Sequence, residues 1–213
     1  MSEPTSLGTS DRRVLPLLVP VAALLWLHNF AIGWLPFWVS MGASVALLMT
    51  LSFALDGAQL RQQLGFRVMD PVLGVASAGI LYGAFFIGDR LSAVLFSFAP
   101  GQVGTIYDLA SGHSKLAVAA LLILVMGPGE EIFWRGVVQN RLARRHGTVW
   151  GYVLATLIYA AVHLPSGNFM LVMAALVAGA FWGLMYARLG RLWPLIISHA
   201  LWDVAAFLIW PIR

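Results

Sequence analysis

Apolar stretches of about 20 residues recur along this chain, and they constrain its fold more than any other feature. A helix rises about 1.5 Å per residue, so a stretch of this length crosses the hydrocarbon core of a bilayer. Hydrophobic residues make up 60% of the chain, against roughly 45–50% in a soluble domain. The stretches are too long, and alternate too little, for the strands of a membrane β-barrel. The sequence therefore predicts an all-α, polytopic bundle of transmembrane helices.

Seven spans are predicted, joined by short polar connections. They cover residues 14–34, 36–55, 71–88, 116–140, 148–164, 169–187 and 192–210. Residues 91–113 begin apolar but contain Pro100, Gly101 and Gly104, so an interfacial helix and an eighth span both stay open there. Residues 1–13 are polar and are predicted to be a disordered cytoplasmic tail, whereas residues 14–213 are predicted to form a single transmembrane domain.

The basic residues predict the orientation, because Arg and Lys near span ends are retained in the cytoplasm. A cytoplasmic N-terminus leaves only Arg90, Lys115 and Arg213 outside. The cytoplasmic set is then Arg12, Arg13, Arg61, Arg67, Arg141, Arg144, Arg145, Arg188 and Arg191. This asymmetry accounts for the net charge of +4 without a nucleic-acid partner. The expected partners are the lipid bilayer and a membrane peptide or protein. A short chain with minimal loops is typical of prokaryotic membrane proteins, so we expect the plasma membrane of a prokaryote.

A few charged or titratable residues interrupt the predicted spans. They are the acids Glu130, Glu131 and Asp203, the arginine Arg135, and the histidines His163 and His199. On insertion scales each acid or arginine at the centre of a membrane helix costs roughly 2.5–3.5 kcal/mol, so four of them approach ~10 kcal/mol before compensation. Such residues are rarely kept for packing alone, and they define a candidate functional site.

Three pairs of polar residues are four positions apart, so each pair lies on one face of a helix. The pairs are Glu131 with Arg135, Tyr159 with His163, and His199 with Asp203. An ion pair between Glu131 and Arg135 compensates both charges, and we interpret these two residues as structural support. Glu130, rotated by about 100° on the same helix, is left without a partner there. Glu130 is therefore the carboxylate predicted to be available for chemistry.

Helical depth predicts that these residues converge. Counted from the arginine-rich end of its span, Glu130 lies about 16 Å deep, with Asp203 at a similar depth, His199 one turn shallower and His163 somewhat deeper. We expect the four side chains to line one cavity that is reached from the cytoplasmic side. Pro128, between two glycines, predicts a kink that opens the helix just before Glu130.

Three motifs in the C-terminal half resemble those of a known family. "EEIFWRG" from Glu130, "YAAVH" from Tyr159 and "HALWD" from His199 are similar, in this order, to the motifs EExxxR, FxxxH and HxxxN or HxxxD. These motifs are typical of the CAAX-protease and bacteriocin-processing family, the type II CAAX prenyl endopeptidase-like intramembrane proteases. The resemblance covers residues 116–210. Tyr159 departs from it by replacing the usual phenylalanine, and Asp203 stands where some members have asparagine.

The resemblance implies hydrolysis of a peptide bond within the membrane. It implies that Glu130 and His163 activate a water molecule and that His199 and Asp203 stabilise the oxyanion. An ionised Asp203 cannot donate to an oxyanion, so it must be protonated or orient His199 instead. The family has also been described as metalloproteases, in which case Glu130, His163 and His199 are zinc ligands. The chain has no cysteine and no HExxH helix, and we favour a mechanism without a cofactor while zinc stays open.

Two other classes of function also stay open. Embedded acids and histidines form the proton relays of proton- or ion-coupled transporters, although the sequence shows no inverted repeat of broken helices. A non-catalytic membrane scaffold, or an immunity protein against a peptide toxin, is the second alternative. The complete set of polar residues argues against that alternative.

Overall fold

A computed structural model describes residues 11–212 of the chain, and this part is built from helices without any strand. In chain order the helices are α1 (Asp11–Leu27, continued by the π-helical turn His28–Ile32), α2 (Phe37–Gln63), α3 (Asp70–Leu95), α4 (Ala99–Asp108), α5 (Lys115–His146), α6 (Thr148–Ala161), α7 (Phe169–Leu189) and α8 (Trp193–Val204, continued by the π-helical turn Ala205–Ile209). Within residues 11–212, six helices are long and apolar enough to cross a membrane, and Trp193–Ile209 is a shorter apolar helix. The predicted polytopic bundle is confirmed, and the protein is an integral membrane protein.

The segment 91–113 is not an eighth span. α3 continues to Leu95, beyond its predicted end at residue 88, and the next helix, α4, has only 10 residues. A helix of that length extends about 15 Å, which is half of the hydrocarbon core. Of the predicted tail, residues 1–10 lie outside the described residues, and α1 begins at Asp11.

α5 carries Glu130 and is continuous through the sequence Gly-Pro-Gly, so the predicted opening of the helix is wrong. Gly127–Glu130 keep helical dihedral angles and are flanked by two π-helical segments, Leu122–Met126 and Glu131–Gln139. A wider π-helical turn before a proline relieves the clash between its ring and the preceding turn, so the helix continues.

The two glycines around Pro128 allow close packing instead. A Cβ atom on Gly129 would clash with Val45 of α2, and one on Gly127 would lie 3.1 Å from the backbone nitrogen of Ala200 in α8. α2 and α8 therefore pack directly against the turn of α5 that carries Glu130.

One end of the bundle, here called the basic end, carries most of the arginines of the described residues. These are Arg61, Arg67, Arg141, Arg144, Arg145, Arg188 and Arg191. Arg141 of α5 forms a bidentate ion pair with Asp56, both N–O distances being 2.7 Å, at a point where the backbone of α2 departs from helical geometry. Arg191, just before α8, pairs with the buried Asp70 at the start of α3. These contacts link α5 to α2, and the start of α8 to the start of α3, at the basic end.

α4 lies across the opposite end of the bundle, here called the α4 end. The amide of Asn168, at the start of α7, donates to the carbonyl oxygen of Gln102 in α4 at 2.8 Å. The indole of Trp38, in α2, donates to the carbonyl oxygen of Leu109, which follows α4, at 2.6 Å. Tyr107 of α4 accepts a hydrogen bond from the backbone of the C-terminal segment at 3.0 Å. α4 is thereby fixed to the ends of α2 and α7.

Candidate active site

The residues predicted to be catalytic come together at one cavity of about 510 Å³. Glu130 comes from the middle of α5, His163 from the turn after α6, and His199 and Asp203 from one face of α8. Tyr159 of α6 lines the same cavity. All of these side chains are buried. The bundle thus gathers one small polar group from three helices inside its apolar interior.

The cavity lies between this polar group and the α4 end. Its apolar walls come from α4, from the end of α3 and from the first half of α7, and include Leu95, Phe96, Val103, Ile106, Met170 and Met173. The expected access from the arginine-rich end is therefore wrong, since none of the residues that line the cavity belongs to the basic end. A count of depth along α5 located Glu130 near the middle of the helix. It carried no information about which end of the bundle is filled by side chains.

Glu130 receives a hydrogen bond from a neighbouring helix. Its Oε2 atom accepts from the hydroxyl of Tyr159 at 2.8 Å. Glu130 therefore has no partner on its own helix, as predicted, and its hydrogen-bond donor comes from α6. Gly179 of α7 makes room for this contact, because a Cβ atom there would lie 2.9 Å from the Tyr159 ring. The Oε1 atom of Glu130 has no hydrogen-bond partner among the described residues and is the oxygen left for a water molecule.

Glu131, the next residue, lies in a fully buried charged cluster. Its Oε1 atom is 2.8 Å from Nη1 of Arg135, as the spacing predicted, and 2.8 Å from Nδ1 of His199. The guanidinium of Arg135 lies over the rings of Tyr159 and Trp182, at 4.8 and 5.6 Å from their centroids. The ion pair therefore does more than join two turns of α5, because it also fixes one ring nitrogen of His199.

His199 lies between two carboxylates and against an indole. Glu131 already accepts from Arg135, so the hydrogen of the Glu131–His199 contact is on Nδ1 of the histidine. The other nitrogen, Nε2, is 3.6 Å from Oδ2 of Asp203, which is longer than a hydrogen bond. The ring stacks on Trp182, with centroids 3.8 Å apart. Nε2 is consequently the nitrogen of His199 that remains for a substrate atom.

His163 has both ring nitrogens occupied. Nδ1 is 2.8 Å from the carbonyl oxygen of Tyr159, which can only accept, so Nδ1 carries a hydrogen. Nε2 is 3.2 Å from the indole nitrogen of Trp26, which can only donate, so Nε2 presents its lone pair to Trp26. His163 is therefore the neutral Nδ1–H tautomer. The sequence does not point to Trp26, because it lies 137 positions from His163 and no helical spacing connects α1 with α6.

The zinc alternative requires Glu130, His163 and His199 to direct free lone pairs at one point. His163 has none to offer, because Nδ1 carries a hydrogen and the lone pair of Nε2 faces Trp26. In His199 only Nε2 remains, since Nδ1 is bound to Glu131. Among the described residues no group of three or more His, Cys, Asp and Glu side chains is arranged to hold a metal ion. As they are arranged, these residues do not fit the zinc site that the resemblance allows.

Residues 112–205 match the model of a protein family described as type II CAAX prenyl endopeptidase Rce1-like. The matched part contains all three sequence motifs and the side chains of the polar group, and it confirms the resemblance identified from those motifs. α1, α2 and α3 lie outside the match, and so does Trp26. A search of curated proteins and a search of solved structures each found no match to this chain.

Proposed function

We propose that this chain, whose residues 112–205 match the prenyl endopeptidase family, is an intramembrane endopeptidase that hydrolyses a peptide bond of a membrane-associated protein or peptide. The observation that carries the proposal is the meeting of Glu130, His163, His199 and Asp203 at one cavity inside an integral membrane protein. The rest of the cavity wall is mainly apolar, which suits a peptide segment with apolar side chains.

Glu130 is the general base in this proposal. The Tyr159 hydroxyl holds one carboxylate oxygen, and the other takes a proton from water while the water oxygen attacks the carbonyl carbon of the scissile bond. His163 forms the neighbouring wall and assists the same water. Its Nε2 lone pair, which faces the Trp26 indole, is shared with a hydrogen of that water.

His199 stabilises the oxyanion that the attack creates. Nδ1–H stays on Glu131, and Nε2–H donates to the developing negative charge. A ring protonated at both nitrogens has a carboxylate beside each of them, Glu131 at 2.8 Å and Asp203 at 3.6 Å. Asp203 therefore supports the cationic ring, and its own contact with the oxyanion would require a protonated carboxyl group.

Collapse of the tetrahedral intermediate completes the reaction. The oxyanion reforms the carbonyl as the C–N bond breaks, and the leaving nitrogen takes the proton that Glu130 removed from water. One water molecule is consumed, and a new carboxyl group and a new amine are formed. Glu130 returns to its carboxylate form, so no cofactor enters the balance.

We also propose that the basic end faces the cytoplasm of a prokaryotic cell, because basic residues near span ends are retained on that side. The cavity then lies toward the opposite side of the plasma membrane, since it extends to the α4 end. A substrate would reach Glu130 from that side or laterally from the adjoining leaflet.

Comparative peptidomics of membranes and medium tests the proposal. Cells carrying the wild-type chain, Glu130→Gln or Asp108→Asn are compared. Asp108 is an exposed acid of α4 that does not line the cavity, so its substitution removes a carboxylate without touching the site. We expect one or more membrane-derived peptides with wild type and Asp108→Asn that are missing with Glu130→Gln. Identical peptide sets in all three strains would overturn the protease and favour a transporter or a scaffold.

A further inference from the structure

We infer that Trp26 of α1 is a positioning residue for His163, so that the active site depends on a helix outside the family-matched part of the chain. The inference deepens the proposed function and rests on it. It concerns a side chain that the motifs do not include and that the proposed chemistry does not otherwise use.

The indole of Trp26 is fully buried between two partners. One is His163, with ring centroids 6.1 Å apart at 78°, and the other is Trp134 of α5, at 6.0 Å and 89°. The single polar atom of the indole, Nε1, donates to Nε2 of His163 at 3.2 Å. Packing places the Trp26 ring, and its one hydrogen bond is directed at the histidine.

Two hydrogen bonds at opposite sides of the imidazole fix its orientation. Nδ1–H donates to the Tyr159 carbonyl oxygen, and Nε2 accepts from Trp26. Loss of the indole N–H would leave the ring with the hydrogen bond to Tyr159 alone and would hold its orientation less firmly. Trp26 therefore keeps the Nε2 lone pair in a fixed direction. A water molecule at the site shares this lone pair, whose direction the indole sets.

Trp134 provides a control for the loss of a buried indole N–H that makes no hydrogen bond; its ring packs edge-on against Tyr159, with centroids 5.3 Å apart. Both indoles are buried and lie beside one another in the core, but Nε1 of Trp134 has no hydrogen-bond partner among the described residues. Replacing either tryptophan by phenylalanine removes an indole N–H and part of a buried ring. Only the change at Trp26 removes a hydrogen bond to a residue of the site, and phenylalanine at position 134 keeps an aromatic ring beside Tyr159.

The activity experiment compares wild type, Trp26→Phe and Trp134→Phe, purified in detergent, on a membrane peptide that the wild type cleaves. For Trp26→Phe we expect kcat to fall about tenfold, the size of one lost neutral hydrogen bond, with KM unchanged. For Trp134→Phe we expect the wild-type kcat. The thermal midpoint of each variant is measured alongside, so that a loss of fold is recognised.

A second measurement reports the contact itself without any proteolysis. The chain contains nine tryptophans, and in protein with 15N-labelled indoles the Trp26 signal is identified by its loss in Trp26→Phe. His163→Phe keeps an aromatic ring but removes the acceptor. It should move the Trp26 signal to the position of an unbonded indole and leave the Trp134 signal in place.

An unmoved Trp26 signal in His163→Phe, or equal kcat for the two phenylalanine variants, would overturn the role of Trp26 while leaving an active protease. A wild type that cleaves no peptide would instead overturn the proposed function, and the positioning role with it. The two failures are therefore distinguishable.

Discussion

Glu130 and Glu131 are adjacent in sequence, yet the bundle gives them opposite surroundings. On the charged side of the site, formed by Glu131, Arg135 and His199, the Glu131 carboxylate is fully buried and receives two charge-assisted contacts through one oxygen. On the cavity side, Glu130 receives one hydrogen bond, from Tyr159, and lines the cavity. Of these two neighbouring residues of α5, Glu131 holds Arg135 and His199 in place, whereas Glu130 has an oxygen that can bind water.

The different surroundings of the two carboxylates suit the proposed role of Glu130 as a base. Burial of an ion in hydrocarbon is unfavourable unless charge and hydrogen bonds compensate it. The charged side has its compensation from Arg135, and it uses the spare capacity of Glu131 to hold His199. The cavity side is compensated less, which is the condition for proton transfer with a bound water. The predictions below separate these two roles.

The largest effect on stability is expected from Arg135→Ala, on the charged side. Removal of one partner strands Glu131 in the core, so the free energy of unfolding should fall by about 3 kcal/mol or more. The measurement is thermal unfolding in detergent, with Arg145→Ala, an exposed arginine of the basic end, as the control. Equal unfolding midpoints for the two variants would mean that Glu131 does not depend on Arg135.

His199→Ala is expected to have the next largest effect, and it should appear in catalysis. Glu131 keeps its partner Arg135 in this variant, so the fold should persist. Loss of the oxyanion donor should lower kcat by about 100-fold, the low end of the range for removal of one such donor. A wild-type kcat together with a lowered unfolding midpoint would show that His199 stabilises the fold and does not take part in catalysis.

Tyr159→Phe should have a smaller effect, because the family pattern itself has phenylalanine at this position. The variant leaves Glu130 without its hydroxyl donor but does not alter its charge. We expect kcat to change by no more than about tenfold, near the energy of one hydrogen bond, with the unfolding midpoint close to that of wild type. Complete loss of activity in a folded Tyr159→Phe would place the tyrosine in the chemistry itself.

The sidedness of the cavity can be tested with no expected effect on activity. The chain has no cysteine, so Ser111→Cys near the α4 end and Arg145→Cys at the basic end each introduce a single thiol at an exposed position. In intact spheroplasts a membrane-impermeant thiol reagent should label the first and leave the second unlabelled. The reverse pattern would show that the cavity side faces the cytoplasm.

The fold was largely predictable because length and apolarity act locally. Each stretch of about 20 apolar residues must form a helix in a bilayer, whatever its neighbours are, because only then are its backbone N–H and C=O groups hydrogen-bonded. The pair Glu131–Arg135 was predictable for the same reason, since four positions on one helix determine its geometry. The interruption at Pro128 was misjudged, because π-helical turns on both sides keep α5 continuous.

Contacts between helices were not predictable in this way. The partners Tyr159 and Glu130 are 29 positions apart, and Trp26 and His163 are 137 positions apart. Neither spacing says which helices are neighbours or how they are rotated. The direction of the cavity was missed for a related reason. The arginine-rich ends predicted a cytoplasmic surface, but the residues that line the cavity come from the opposite half of the helices.

Glu130→Gln is the variant that decides whether Glu130 is the base of an intramembrane peptidase. The amide occupies the same space and can still meet the Tyr159 hydroxyl, but it cannot take a proton from water. Purified wild type and Glu130→Gln are compared in lipid for the rate at which each cleaves a peptide that the wild type processes, together with the unfolding midpoint. We expect no detectable cleavage by Glu130→Gln at an unchanged unfolding midpoint. Cleavage by Glu130→Gln at the wild-type rate would mean that Glu130 is not the base.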